Sequence, residues 1–272
     1  MSGSRIKTMV IAALLLINVF FLTVIIIDTV EDTRSERQAI ENACAVLQLS
    51  GITVSPDNVK AGGSFRTMRT ARGDEAEADI ARALLGPTVM TEQGIIYLYE
   101  NTDTGTAEFY SAGDFTVSLN EGVITSSGGT LRLVQRLLRK MGVKTAELTL
   151  SSAPGGETVT TVGAYKGVSI FNCTIEFMFR GENLEMVKGR YVTGAEVMED
   201  GTEISSAGTA LLGFLAWVRR EDVRCSRIDL IEAGYQHRMA GPFGEVIAPV
   251  WLIVSDSGRY IFDDATGEVW VQ

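Results

Sequence analysis

Thr130-Leu131-Arg132-Leu133-Val134-Gln135-Arg136-Leu137-Leu138-Arg139-Lys140-Met141 is followed by four extended segments, near Ala146–Leu150, Val159–Tyr165, Val168–Phe179 and Asn183–Val192. The first stretch repeats apolar residues at three- and four-residue steps. Leu131, Val134, Leu138 and Met141 form its stripe, which predicts an amphipathic helix. The later segments are rich in β-branched and aromatic residues and are separated by Gly, Pro and Asn turns. That pattern predicts hairpin-linked strands, because parallel pairing would demand long crossovers between them. A helix followed by a meander is the mark of an α+β module, an antiparallel sheet with a helix packed on one face.

The pattern recurs on both sides. Upstream, Asp74–Leu85 reads as a helix with Ile80, Leu84 and Leu85 inward, followed by strands near Ile95–Glu100, Ala107–Tyr110 and Phe115–Leu119. Downstream, Ala207–Arg220 carries Leu211, Leu212, Leu215 and Val218. It precedes strands near Arg224–Gln236, Ile247–Ser255, Arg259–Asp263 and Glu268–Val271. These segments predict two α+β domains, 51–152 and 153–272, divided at the turn formers Ala153-Pro154-Gly155-Gly156. Asp32–Leu49 reads as a further helix, with Ala39, Ile40, Ala43, Val46 and Leu47 in its stripe. Gly51 stands just past its last turn, and Ala61-Gly62-Gly63-Ser64 reads as a flexible joint.

Ahead of that helix, Arg5 and Lys7 precede an uncharged apolar run from Met9 to Ile27, and Asp28, Glu31 and Asp32 follow it. At 1.5 Å of rise per residue the run would be about 28 Å long as a helix, enough to cross the hydrocarbon core of a bilayer. Cations stay preferentially on the cytoplasmic side, so 1–8 is expected inside and everything after the run outside. A cleaved secretory leader would be shorter and end at a small-x-small site. This run ends Val24-Ile25-Ile26-Ile27, bulky throughout. The expectation is therefore an uncleaved signal anchor at 9–27, a helical juxtamembrane stalk at 28–50, and an exterior remainder.

The formal net charge is −10, and since Arg5 and Lys7 lie in the flank, the exterior part is more acidic still. Such a balance argues against nucleic acid as partner, and equally against electrostatic docking onto anionic lipid or acidic wall polymers. Cys44, Cys173 and Cys225 are an odd number at wide spacings unlike metal knuckles. Cys173 sits in an apolar run, where a buried thiol is the expected state. The same context makes Asn172-Cys173-Thr174 a formal glycosylation match only.

Patterns that carry chemistry are scarce. The sequence contains a single histidine, His237, and no G-x-S-x-G, H-E-x-x-H or Walker loop. Ser4-Arg5-Ile6-Lys7 matches S-x-x-K by letters only. Asp74, Glu75, Glu77 and Asp79 fit the first turn of a helix, where the dipole favours acids, better than a metal site. Asn101-Thr102-Asp103-Thr104-Gly105 reads as a hairpin turn and lacks the distal acid of a calcium loop. Arg132, Arg136, Arg139 and Lys140 give one helix a basic face, read as solvated or as a contact for headgroups or an acidic partner. Trp217, Trp251 and Trp270 are expected in core packing. Neither a cofactor nor catalysis is expected.

Two stretches carry a family resemblance. Ile228-Asp229-Leu230-Ile231-Glu232-Ala233-Gly234-Tyr235 leads through a loop to Pro249-Val250-Trp251-Leu252-Ile253. Tyr260-Ile261-Phe262-Asp263-Asp264-Ala265-Thr266-Gly267-Glu268-Val269 follows near the C-terminus. Together with Arg5-Ile6-Lys7, Asn18 and the acidic Asp28–Glu36, these resemble YycI-type proteins. That is the YycH/YycI group of regulators associated with the WalK (YycG) cell-wall two-component histidine kinase of Gram-positive bacteria. PepSY-like modules end in a similar Tyr-x-x-Asp-x-x-x-Gly hairpin. The resemblance implies PepSY-like exterior modules and a non-enzymatic regulator that meets a sensor histidine kinase, with a paralogous accessory protein as a second partner. The alternative is a PepSY-like exterior module that binds a ligand or inhibits a protease. Asn18 is the candidate partner-binding residue, since an amide inside a span can hydrogen-bond a neighbouring helix.

Overall fold

The computed structural model of the chain describes residues 34–60, 63–110, 113–192, 194–198, 201–240 and 244–272. The expected span Met9–Ile27, and Asn18 with it, lies outside the described residues. Among the described residues no helix is long and apolar enough to cross a membrane. The chain is a sheet-rich α+β protein that divides into two compact units, neither of them continuous in sequence. Unit 1 holds the described part of Met1–Ala61 with Ser206–Ile231 and Val254–Ser257. Unit 2 holds Gly62–Ser205, Glu232–Ile253 and Gly258–Gln272.

In unit 1, helix α1 (residues 34–49) buries Ile40, Ala43, Cys44 and Leu47. The expected stripe is shifted by one position, with Cys44 inside and Val46 exposed, because 100° steps carry 40, 43, 44 and 47 onto one arc. Helix α4 (Ala207–Arg220) starts at Ser206, whose Oγ accepts from the Thr209 N–H, and ends with Arg219 and Arg220 in its last turn. It buries Leu211, Leu215 and Val218 as expected, together with Phe214, but Leu212 faces out. The two helices run side by side in the same direction. Gly208 lies against Ala39, and eleven residues along both helices Arg219 Nη2 donates to Ser50 Oγ at 2.7 Å. A Cβ on Gly208 would stand 3.0 Å from the Ala39 carbonyl oxygen, so the close crossing depends on the small residue. The expected stalk is thus, over its described residues, a packed helix of this unit. Strand β1 (Thr53–Val54), which is followed by the short β2 (Val59–Lys60), pairs in parallel with β13 (Arg227–Met239). Asp256 accepts from the Ser226 and Arg227 backbone N–H groups and the Ser226 hydroxyl, which hold its carboxyl down at about 2.

Unit 2 is built on an antiparallel sheet. β4 (Val89–Gln93), β5 (Ile96–Asn101), β6 (Gly105–Phe109) and β7 (Asp114–Leu119) form a meander. β7 then pairs with β11 (Asn183–Arg190), β11 with β10 (Val168–Arg180), β10 with β9 (Gly156–Tyr165), and β9 with β8 (Thr145–Ala153). Helices α2 (Asp74–Leu85) and α3 (Thr130–Lys140) lie on one face. One core holds Ile80, Leu84 and Leu85 of α2, Val134, Leu137 and Leu138 of α3, and Phe115, Val117, Ile175, Phe177 and Val187 of the strands. Leu131, assigned to the α3 stripe from sequence, is exposed, and Leu133 and Leu137 take its place. The rest of the unit adds β3 (Met68–Ala71), β12 (Gly194–Val197), β14 (Glu245–Ser255) as far as Ile253, β15 (Gly258–Asp263) and β16 (Glu268–Val271). Pairing of β10 with β13 is parallel, at Ile170 and Tyr235, so the sheet is mixed where a purely antiparallel one was expected.

The division at Ala153-Pro154-Gly155-Gly156 is not where the chain separates. Ala153 pairs with Gly156, so those turn formers close the β8–β9 hairpin. The core they were expected to divide runs unbroken from Ile80 to Val187. A Pro-Gly-Gly turn has the same composition whether it links domains or closes a hairpin.

Candidate functional site

On the face of the β7–β11–β10 sheet away from α2 and α3, alternation sends polar residues outward. Thr116, Lys188 and Glu176 form one cross-strand row, and Asp114, Arg190 and Thr174 the next. With Asn172 they line a cleft of about 410 Å³. Gly189 lets β10 and β11 close up at its floor, since a Cβ there would stand 2.3 Å from the Thr174 carbonyl oxygen.

The charged side chains of the cleft are matched. Arg190 grips Asp114 with both arms, Nε to Oδ1 at 2.8 Å and Nη2 to Oδ2 at 2.6 Å. That hydrogen bonding holds the guanidinium proton more tightly than usual, against the pull of burial. Lys188 Nζ stands 3.2 Å from Glu176 Oε2. Next along β10, the Asn172 amide clasps β13. Its Oδ1 accepts from the His237 N–H at 2.8 Å, and its Nδ2 donates to the His237 carbonyl at 2.7 Å.

His237 is 4% exposed at the side chain, with Nε2 at 3.3 Å from Glu245 Oε2. Burial lowers its affinity for a proton, the positive charge of Arg190 lowers it further, and Glu245 opposes both. Its Nδ1 has no hydrogen-bond partner among the described residues. Cys173, fully buried beside Asn172, has its thiol pushed up to about 12 by burial. The cleft can therefore offer matched ion pairs, hydroxyls and an amide to a polar ligand, while the neighbouring His237 imidazole lies buried with its proton affinity lowered.

A second concavity of about 290 Å³ lies at the other end of β10. Phe65, Met68, Tyr165, Val168, Val197 and Tyr235 give it an apolar lining. Tyr165 Oη donates to the Ala195 carbonyl at 2.8 Å, and Phe65 meets Tyr235 edge to face.

Residues singled out from sequence fare unequally. Asp74, Glu75, Glu77 and Asp79 form no metal cluster, and among the described residues no three His, Cys, Asp or Glu side chains converge. Glu77 is instead buried and gripped by Arg72, Nε to Oε1 at 2.9 Å and Nη2 to Oε2 at 3.0 Å. Burial nevertheless raises its carboxyl above the ordinary range, against Arg72. The guanidinium also stacks on Tyr97 and donates to the Ile95 and Phe109 carbonyls. A trace of this clamp stands in the sequence, since Glu77 precedes Ile80 by three residues on the inward face of α2.

Asn101 and Thr104 do close a hairpin, and their side chains also cap α2 by donating to the Leu85 carbonyl. The three cysteines are free. Trp251 is core, whereas Trp217 and Trp270 are half-buried. The α3 cations are exposed, and among the described residues none has a carboxylate within 4.0 Å. No carboxylate partner for His237 is visible in the sequence around it. Glu245 reaches it from the start of β14, which is tied to the end of β13 by the Ala240 N–H donating to the Gly244 carbonyl.

No protein-family model matches the sequence, and no curated protein matches it. Among solved structures, the chain is similar to an uncharacterized protein from Eubacterium rectale ATCC 33656, at 10% identity and a TM-score of 0.49, over 78% of this chain and 86% of that one. It is also similar to the Bacillus megaterium YpeB C-terminal domain, at 12% identity and a TM-score of 0.39, over 75% of this chain and 99% of that one. At such identities and scores neither likeness carries a function over to this chain.

Proposed function

We propose that this chain is a membrane-anchored extracytoplasmic accessory protein that acts by binding, and that it modulates a two-component sensor histidine kinase through contacts of its span and of its exterior part. The observation that carries the reading is the Met9–Ile27 run, with Arg5 and Lys7 before it and Asp28, Glu31 and Asp32 after it. A run of that length and flank charge fits a single pass with the N-terminus in the cytoplasm. The kinase, and a paralogous accessory protein beside it, enter from the resemblance to the YycH/YycI group. Asn18 is the proposed contact within the bilayer, because an unpaired amide there gains by bonding a neighbouring helix. A binding role in place of catalysis is supported by the cleft, where Arg190 is matched to Asp114 and Lys188 to Glu176.

A second reading, a PepSY-like exterior module that binds a ligand or restrains a protease, draws on the apolar concavity lined by Phe65, Tyr165 and Tyr235. Photocrosslinking from Asn18 in living membranes separates the two. Capture of a histidine kinase is expected, and its absence among the captured partners overturns the kinase reading. Replacing Met9–Ile27 by an unrelated anchor supplies the complement, since full retention of regulation would move the function to the exterior part alone.

A further inference from the structure

Residues 122–146 contain Arg132, Arg136, Arg139, Lys140 and Lys144 and not one acid, in a chain whose net charge is −10. α3 concentrates them. Leu133, Val134, Leu137, Leu138 and Met141 face the core, and at 100° per residue the three arginines fall within about 60° of arc on the opposite side, over about 10 Å of axis. All five cations are exposed. Among the described residues, the acid that reaches this helix, Glu157, accepts from Thr130 Oγ1 in the first turn, and none stands within 4.0 Å of the stripe's cations. Where the stripe ends, Gln135, Leu138, Arg139, Val143, Thr145 and Leu148 line a groove of about 370 Å³ with an apolar floor.

We propose that the exposed face of α3 docks on the anionic phospholipid headgroups of a bilayer. Three arginines present planar forks suited to phosphate, strung along a line instead of converging on one point, as a surface of many phosphates requires. The groove beside Arg139 receives the glycerol and upper acyl region of a lipid held there. The acidic remainder of the chain does not forbid this. Charges beyond about 8 Å are screened at physiological ionic strength, so the headgroups meet the local stripe and not the net charge. The proposal draws on the membrane-anchored reading for one contribution, the tether that keeps α3 near the lipid at high effective concentration. An acidic protein free in solution would have no such tether.

The test uses the full chain. Flotation with neutral phosphatidylcholine vesicles after carbonate washing checks the anchor alone. Docking is read in nanodiscs from a fluorophore on Leu131→Cys, in a Cys225→Ser background, quenched by headgroup spin labels. Quenching is expected to be roughly tenfold stronger with phosphatidylglycerol than with phosphatidylcholine, and to fall at high salt. In Arg132→Glu/Arg136→Glu/Arg139→Glu it should drop to the neutral-lipid level with the melting temperature unchanged. If that variant melts without cooperativity, the Arg→Gln set replaces it. Equal quenching in the two lipids, or quenching that survives charge removal, overturns the proposal. Should flotation with neutral vesicles fail, the anchor reading falls by itself. Docking then predicts flotation with phosphatidylglycerol vesicles only, lost in the triple variant, and any other pattern overturns it.

Discussion

The two faces of the β7–β11–β10 sheet are made from the same strands at alternating positions, and they obey different rules. Phe115, Val117, Ile175, Phe177 and Val187 point into a core shared with α2 and α3, where removed apolar area supplies the stability. Asp114, Thr116, Thr174, Glu176, Lys188 and Arg190 point the other way into a wet cleft. There opposite charges meet at ordinary distances, but water competes for both partners. One strand can therefore carry its stabilising and its recognising residues in strict alternation, so the binding face can vary without unfolding the core.

That contrast can be broken most forcibly from the core side. Phe177→Ala should cost about 3–5 kcal/mol, because the cavity it leaves is walled by side chains that cannot all collapse. Urea unfolding of the purified protein measures it, and a loss no larger than that of a cleft substitution would erase the distinction between faces. Glu77 sharpens the comparison as a charge placed on the core side. With Arg72 still half-buried and its carboxylate gone, Glu77→Ala should cost about 2–3 kcal/mol. Glu77→Gln, which keeps the shape and loses the charge, should recover only part of that loss, whereas a purely steric role for the side chain would recover all of it.

His237 lies between the two regimes. Its folded proton affinity is lowered, by burial first and by Arg190 second, so the native state binds fewer protons than the unfolded chain. The stability linked to it is therefore present above the unfolded histidine range near pH ~6.5, and is lost as pH falls through the lower folded value. Melting temperature should drop on acidification below neutrality, and His237→Gln should flatten the drop. An unchanged slope in the variant would remove His237 as its source. The smallest effect belongs to the cleft: a double-mutant cycle on Lys188 and Glu176, 48% and 35% exposed, should give a coupling below about 1 kcal/mol, shrinking with salt. A larger coupling would mean that the cleft is drier than its exposure indicates.

Helices α2, α3 and α4 were legible because a 3.6-residue period needs only a dozen residues to declare itself. The strands of the β8–β11 meander were legible through hairpin turns. β4 and β12 were not, since β4 is exposed along its whole length and β12 is a short Gly-Ala-Glu-Val segment without alternation. The cleft was illegible for a different reason. Arg190 meets Asp114 across 76 positions, and Asn172 meets His237 across 65, separations at which local pattern carries no information. The Arg72–Glu77 clamp, five residues apart, was within reach, as an acid set among inward positions.

By itself the sequence determined the mixed α+β character, the inward faces of most helix positions and the basic stripe of α3, because these follow from period and spacing along a short length of chain. Only the tertiary structure decided that Ala153–Gly156 is a hairpin and not a boundary, that α1 lies along α4 through Gly208, and that Asp114, Arg190, Asn172 and His237 share one neighbourhood. Those outcomes depend on which strands pair at long range. Pairing is chosen by the burial of a whole core at once, a quantity that no window of the sequence contains.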